Sequence, residues 1–244
     1  MRIPQLFVVV AGVAAWSSAP AARIGAQDPA PVPLSGEPRH HVVYESPSLR
    51  VHDIQIPPGD TTLFHTHDTA ILYVPIARST NRSQVLGEEW SGPPATPAPP
   101  PAGGEKPGRV NSVVTYVEKP FTHRVNNVGT SLFRLVGVAN RTAGADGPAD
   151  DVSGLSAKPE LENRWYRAHR VMLEPQTSTV AHRHATAVVI VMQTPGTAAA
   201  EGSSWSPLNG PGDFVWQPSG NHVVHNRGGS AIEFVEIEVR GATK

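Results

Sequence analysis

The chain contains no cysteine. This absence excludes disulfide bonds, thiolate metal ligands, thiol nucleophiles and a lipid-modified N-terminal cysteine. The chain also lacks an excess of either charge, because 20 Lys and Arg residues are balanced by 21 Asp and Glu residues. A balanced charge provides no electrostatic footprint for nucleic acid and no polybasic patch for a membrane surface. The expected partner is therefore a small-molecule ligand or substrate, with no nucleic acid.

Long apolar runs are missing everywhere except at the start of the chain. Leu6 to Trp16 is apolar and follows Met1-Arg2, and residues 17–27 are small and polar. This layout is typical of a secretory signal peptide, which we assign to residues 1–26, with cleavage after Ala26 or Gln27. An uncleaved anchor is the alternative, but the run is short for a bilayer span. The sequence predicts a periplasmic or secreted protein with no stable membrane insertion after processing.

Turn-forming residues are abundant, with 22 Gly and 25 Pro, and they separate short runs of β-branched residues. This pattern favours an all-β chain. No segment shows the spacing of an amphipathic helix.

The chain repeats itself. Residues 50–74 align without a gap with residues 167–191, at an offset of 117 residues, and residues 123–141 align with residues 222–240 at an offset of 99. Repetition of this kind indicates two copies of one structural unit. The difference between the offsets places an insertion in the first copy, and the proline-rich residues 87–108 account for it. We therefore expect an N-terminal barrel at 38–141 carrying this insertion, a linker at 142–160 and a C-terminal barrel at 161–244.

Each copy carries a His-x-His pair on a predicted strand. Residues at i and i+2 of a strand point to the same side, about 6–7 Å apart, so both imidazoles can reach one ion. A histidine from another strand can complete the set and leave coordination positions open. The two sets are His65, His67 and His123 in the first copy, and His182, His184 and His222 in the second.

These blocks resemble the two motifs of the cupin superfamily. Gly59, five residues and His65-Thr-His67 match the start of the first motif, whereas the second copy has Gln176 in place of the glycine. The second motif is matched, with one residue missing before the histidine, by Gly212, Pro218, Gly220, His222 and Asn226. The first copy retains only Pro120, His123 and Asn127 of this motif. The resemblance implies a bicupin, an all-β protein of two tandem jelly-roll barrels, also called double-stranded β-helices.

The chain departs from the family where cupins place a glutamate ligand. Residues 70–72 and 187–189 are apolar instead, so we expect two three-histidine sites without a carboxylate. Each would hold a divalent metal ion, which could be Fe, Zn, Mn, Ni or Cu because imidazole serves all of them. Three-histidine cupins include dioxygenases that act on thiols, β-diketones and gentisate-type acids. The resemblance therefore implies a dioxygenase-type enzyme, or a related lyase or isomerase, acting on a small anionic substrate.

Two alternatives remain open at this point. The chain could be a non-catalytic cupin that holds a metal or a metabolite. One half could instead be active while the other serves for packing or for homodimer formation. The more complete second motif around His222 favours the C-terminal half as the reactive one.

Several further polar residues were considered for the sites. His52 and His169 occupy equivalent places ahead of the His-x-His pairs and could be fourth ligands, acid/base groups, hydrogen-bond donors to the ligand histidines or packing residues. The pair Glu236 and Glu238 is expected on an exposed strand face. His40 and His41 are expected to be incidental.

Overall fold

The computed structural model of the chain describes residues 30–94, 108–146, 155, 158–201 and 207–242. The expected signal peptide and most of the proline-rich insertion lie outside the described residues. Within those residues there is no α-helix, and none of the helical turns could cross a membrane. Two short 3-10 helices span Leu34–Gly36 and Thr115–Val117.

All other regular structure is β-strand. The strands of the first half are β1 Val32–Pro33, β2 His40–Glu45, β3 Leu49–Ile56, β4 His65–His67, β5 Ala70–Ala77, β6 Asn81–Val85, β7 Trp90–Ser91, β8 Asn111–Val113, β9 Phe121–Asn127 and β10 Phe133–Asn140. The strands of the second half are β11 Leu161–Glu162, β12 Tyr166–Leu173, β13 His182–His184, β14 Ala187–Met192, β15 Ala198–Glu201, β16 Phe214–Gln217, β17 Gly220–Asn226 and β18 Ile232–Val239.

Each half contains two sheets. The first half has the strand orders β1-β4-β9-β6-β7 and β2-β3-β10-β5-β8, and the second half has β13-β17-β15 and β11-β12-β18-β14-β16. The pairings repeat in register: His65 lies opposite His123 as His182 lies opposite His222. The all-β fold of two repeated units is as predicted. The first half also includes β1, ahead of the expected domain start at residue 38.

The larger sheets of the two halves pack against each other. Leu49 and Val51 on β3 share one continuous apolar cluster with Val235, Ile237 and Val239 on β18, and all five are fully buried. Burying an aliphatic side chain of this size contributes about 1.5–3 kcal/mol. The central strands are therefore buried on both faces, with one face toward the other half and one toward the interior of their own half.

Tyr166 makes buried hydrogen bonds across this interface. It is fully buried, and its hydroxyl oxygen lies 2.6 Å from Ala70 O and 2.8 Å from Val138 O in the other half. The hydroxyl also accepts the backbone N–H of Asn140 at 2.9 Å. Because the hydroxyl both donates and accepts a hydrogen bond, this buried polar group is satisfied and does not destabilise the interface.

The turn ahead of each His-x-His strand has the same backbone shape in both halves. Gly59 adopts φ 78°, and its counterpart Gln176 adopts φ 60°, the one non-glycine residue with positive φ in the described part of the chain. This left-handed conformation is costly for a side chain. The Gln176 amide donates to Arg227 O and Gly228 O at 3.0 and 2.8 Å, which offsets part of that cost.

Candidate metal centres

The first histidine group lies inside the N-terminal half. His65 and His67 project from β4, and His123 projects from β9, which pairs with β4. The ring centroids are 4.7–5.1 Å apart, and one nitrogen from each ring lies within 4.8 Å of the others. The three predicted residues thus converge on one point and could hold a metal ion.

The other nitrogen of each ring is occupied, which turns the Nε2 atoms toward that common point. His65 Nδ1 lies 2.9 Å from Leu63 O, so Nδ1 carries the proton and Nε2 keeps its lone pair. Tyr73 Oη and Ser83 Oγ contact the Nδ1 atoms of His67 and His123 at 3.4 and 3.0 Å. His65 Nε2 is buried without a hydrogen-bond partner. A metal ion at this point fits the donor set, because it would satisfy this orphaned nitrogen.

Burial keeps these imidazoles uncharged. Loss of solvent, reinforced by the neighbouring histidines, lowers the pKa of His67 to about 2 and that of His123 to about 3. Burial also lowers the pKa of His65. Neutral imidazole is the form that binds a metal ion, so at neutral pH this site needs to release no proton to accept one.

The second histidine group contains a carboxylate that the sequence analysis placed elsewhere. His182 and His184 on β13, His222 on β17 and Glu236 on β18 offer ligand atoms that all lie within 4.8 Å of one another. Glu236 Oε2 lies 2.9 Å from His182 Nε2 and 3.1 Å from His184 Nε2, and Oε1 lies 3.4 Å from His222 Nε2. The prediction that neither half supplies a carboxylate is wrong for the C-terminal half.

The expectation that Glu236 and Glu238 decorate an exposed face is wrong for the same reason. β18 is a central strand, so its glutamates point into their own barrel while Ile237 faces the other half. The two glutamate residues are 0% and 4% exposed. Glu238 Oε1 lies 2.8 Å from His184 Nδ1 and orients that ring from behind.

The carboxylates set the charge of the second site. Burial lowers the pKa of His184, but hydrogen bonds to Glu236 and Glu238 outweigh it and raise that pKa to about 9. Burial raises the pKa of Glu236, but the three histidines that contact it hold the pKa well below its usual range. Without an ion, the site therefore keeps a proton on His184 and a negative charge on Glu236. A divalent ion would displace that proton.

Gly137 explains why the first site has no carboxylate. It lies opposite His52 on β3, just as Glu236 lies opposite the equivalent His169 on β12. A Cβ at Gly137 would already lie 3.2 Å from Ile54 Cδ1 and from Ile71 Cδ1. The N-terminal candidate group therefore has three histidines and no carboxylate, because a glycine holds the carboxylate position.

A cavity of about 520 Å³ adjoins the N-terminal histidines, which line it together with His40. Its walls include Tyr73, Pro75, Val125, Phe133 and Leu135, all of them partly exposed. Their counterparts in the second half are Ile190, Met192, Val224, Ile232 and Phe234, which form a closed apolar core at 0–1% exposure. The same positions thus surround a cavity in one half and fill the interior in the other. The half expected to be reactive is the closed one.

His40 is part of the cavity wall, so the expectation that it is incidental is wrong. Its ring lies 4.5 Å from that of His65, and its Nδ1 lies 2.5 Å from Glu37 Oε2. Glu37 is itself buried, and its Oε1 accepts the backbone N–H of Leu63 at 3.1 Å. Because Leu63 O contacts His65 Nδ1, Glu37 supports the position of His65 through one intervening residue, Leu63. His41 is exposed.

His52 and His169 lie inside their barrels but outside both ligand groups. His52 Nδ1 lies 3.4 Å from His40 O, and both ring nitrogens of His169 are buried without a partner. Among the described residues, neither ring hydrogen-bonds to a ligand histidine. Of the roles considered for them, packing beside the site is the one the contacts support.

No protein-family model matches the chain, and no curated protein matches its sequence. Among solved structures, AerE from Microcystis aeruginosa has a TM-score of 0.52 at 10% identity, covering 83% of this chain and 98% of its own. YhhW from Escherichia coli has a TM-score of 0.52 at 15% identity, covering 84% and 89%. A cupin 2 conserved barrel domain protein from Leptotrichia buccalis has a TM-score of 0.44 at 10% identity, covering 82% and 87%. At these identities the likeness concerns the fold alone, which is that of two tandem cupin barrels.

Proposed function

We propose that this chain is an exported, metal-dependent enzyme of dioxygenase type that acts on a small anionic substrate in the N-terminal cavity. The observation that supports it is the placement of three neutral, converging imidazoles on the wall of a cavity of about 520 Å³. Cavities of roughly 300–1,000 Å³ are typical of small-molecule sites.

The number of coordination positions left open supports a dioxygenase-type reaction. A six-coordinate divalent ion held by His65, His67 and His123 keeps three positions that the protein does not fill. Such an ion can act as a Lewis acid toward an anionic substrate and, if it is iron, can also activate oxygen. The protein's part is to supply neutral donors, to fix the ring orientations through Leu63, Tyr73 and Ser83, and to surround the substrate with apolar walls.

A non-catalytic, metal-holding role is favoured for the other half. Its four candidate ligands, His182, His184, His222 and Glu236, are 0–4% exposed, and the cavity positions around them are filled by side chains. A four-ligand site without an open approach resembles structural rather than catalytic metal sites.

The test is oxygen uptake by protein loaded anaerobically with Fe²⁺ and offered thiols, β-diketones and hydroxylated aromatic acids in turn. We expect uptake with one of these classes, lost in His65→Ala and retained in His182→Ala. Uptake that shows the reverse dependence would move the reaction to the C-terminal half. Stable metal binding without uptake for any class would favour the non-catalytic alternative.

Export is tested separately, by sequencing the N-terminus of soluble protein recovered from the native host. We expect it to begin near Gln27 or Asp28. Soluble material that retains Met1 would contradict the export proposal.

A further inference from the structure

The cavity of the N-terminal half changes character along its length. Strand β10 runs beside it, with Gly137 opposite Tyr73 near the histidines, Leu135 opposite Ile54 and Pro75, and Phe133 opposite Ile56. From Gly137 to Phe133 the strand covers about 13 Å. The cavity is therefore polar at the histidine end and apolar in the middle.

Arg78 lies at the other end. It follows β5 directly, where Ala77 pairs with Arg134, the neighbour of Phe133, and it lines the same cavity. Its guanidinium lies against the backbone at Gly108, where a Cβ would come within 2.6 Å of Nη2. No hydrogen bond or ion pair engages the Arg78 guanidinium anywhere in the part of the chain that the structure describes. By contrast, Arg82, which also lines the cavity, donates to Asn126 Oδ1 at 3.0 Å and lies over the Trp90 ring.

The closed half has lost this end of the cavity. The repeat places Pro195 at the position of Arg78, and Ala198 at that of Asn81. Asn81 pairs with Asn127 as Ala198 pairs with Asn226, so the two halves remain in register here. The cationic side chain thus occurs in the half where these positions surround a cavity, and it is replaced in the half where the equivalent positions form a buried core.

We propose that Arg78 binds the anionic group of an elongated, amphipathic substrate. Such a molecule has an oxygen-rich head at the three histidines, an apolar body against Ile54, Leu135 and Phe133, and a terminal carboxylate at the guanidinium. Arg78 is exposed at this end of the cavity, and its unpaired guanidinium carries five donors that suit a carboxylate, which it can bind in bidentate geometry. The inference rests on the proposed function, because the head group needs a metal ion at the histidines.

Two probes of equal chain length separate the two ends of the cavity. The monohydroxamate of suberic acid carries a metal-binding head and a terminal carboxylate, whereas octanohydroxamic acid has the same head without the carboxylate. Their affinities for the Zn²⁺-loaded full chain are measured by calorimetry for the wild type, Arg78→Gln, Arg78→Lys and Arg164→Gln. Arg164 is an exposed arginine of the other half and controls for loss of one positive charge.

We expect Arg78→Gln to weaken the monohydroxamate at least about tenfold, the usual effect of losing a charge-assisted hydrogen bond, and to leave octanohydroxamate unchanged. Arg78→Lys should keep part of the affinity difference between the two probes, and Arg164→Gln should change neither affinity. Equal losses for both probes, or none, would overturn the assignment of Arg78 and leave the metal proposal standing. If octanohydroxamate binds metal-free and Zn²⁺-loaded wild type equally, the metal proposal fails instead. Thermal melts of each variant check that the fold is kept.

Discussion

Glu236 and Gly137 occupy the same place in the two halves of the molecule, each opposite an equivalent histidine of the neighbouring strand. In one half the position supplies a buried carboxylate that contacts three histidines, and in the other it supplies no side chain. This single difference separates a four-ligand candidate site from a three-ligand one. The two sites should therefore differ in affinity and in proton release.

Replacing Glu236 by Gln should weaken the C-terminal metal site without changing the other. The loss should be at least the roughly 10–100-fold that follows removal of an outer hydrogen-bond partner, because here a charged ligand is lost. In a Zn²⁺ titration against a competing chelator, the number of tightly bound ions should fall from two per chain to one. Glu233→Gln is the control, since Glu233 lies on the same strand but pairs with Arg170. Two tight ions in Glu236→Gln would contradict the assignment.

Glu238 should act on the same site indirectly. Its carboxylate accepts a hydrogen bond from His184 Nδ1 at 2.8 Å. The negative charge of Glu238 orients the His184 ring and makes that ring a better metal ligand, and Glu238→Gln removes this charge. We expect a drop in Zn²⁺ affinity of about 10–100-fold at the C-terminal site. The exposed Glu201, which pairs with His225, provides the control Glu201→Gln. Equal effects of the two substitutions would mean that Glu238 does not support the site.

The two histidine groups predict opposite pH effects on the metal-free protein. The pKa of His67 is lowered to about 2 in the folded protein, so on acidification this histidine takes up a proton in the unfolded chain before it does so in the folded one. Stability should therefore fall as the pH drops below about 6.5. The pKa of His184 is raised to about 9, so its contribution is present below about 6.5 and is lost as the pH rises through 9.

Thermal melts across this range distinguish the two contributions. His67→Asn should flatten the loss of stability on the acid side, and His184→Asn should remove the loss on the alkaline side. The slope is the readout rather than the melting temperature itself, because either substitution can shift the temperature at every pH. An acid slope that is unchanged in His67→Asn would contradict the placement of its neutral ring in the site.

The sequence carried most of the fold and both histidine sets, because those features repeat. A period-2 pattern places His65 beside His67, and the matching blocks place His123 and His222 on equivalent strands. Glu236 was misplaced because its strand alternates like one that faces solvent. The other half of the molecule covers Ile237 and Val239, so the polar face of the strand is the one inside the barrel. A sequence signal did exist, since the aligned blocks set Glu236 against Gly137.

His40 was missed for a different reason. It lies outside the repeated blocks, so the second half has no aligned histidine that would mark this position as part of a site. Its place in the cavity wall depends on the pairing of β2 with β3, which brings His40 opposite Ile54. The sequence patterns of β2 and β3 do not indicate that these two strands pair with each other. Likewise, whether a barrel is open or filled depends on side-chain volumes at several positions together, and no single motif reports it.

The turn before the His-x-His strand offers a test of the fold. Gly59→Ala should destabilise the protein by about 1 kcal/mol, because the left-handed backbone is costly for a residue with a Cβ. A Cβ there would meet nothing within 4 Å, so the effect is one of backbone conformation and not of crowding. Gly229 has equally open surroundings but no positive φ, and Gly229→Ala should be neutral or slightly stabilising. Equal melting-temperature shifts for both would contradict the shared turn geometry.

The proposed function depends most on the N-terminal site being the one that is open to a small molecule. The direct measurement is electron paramagnetic resonance of Fe²⁺-loaded protein exposed anaerobically to nitric oxide, which needs an unfilled coordination position. Wild type and the double variant His182→Ala/His184→Ala should give the same signal, and His65→Ala/His67→Ala should give none. A signal that persists without His65 and His67 but disappears without His182 and His184 would contradict the account.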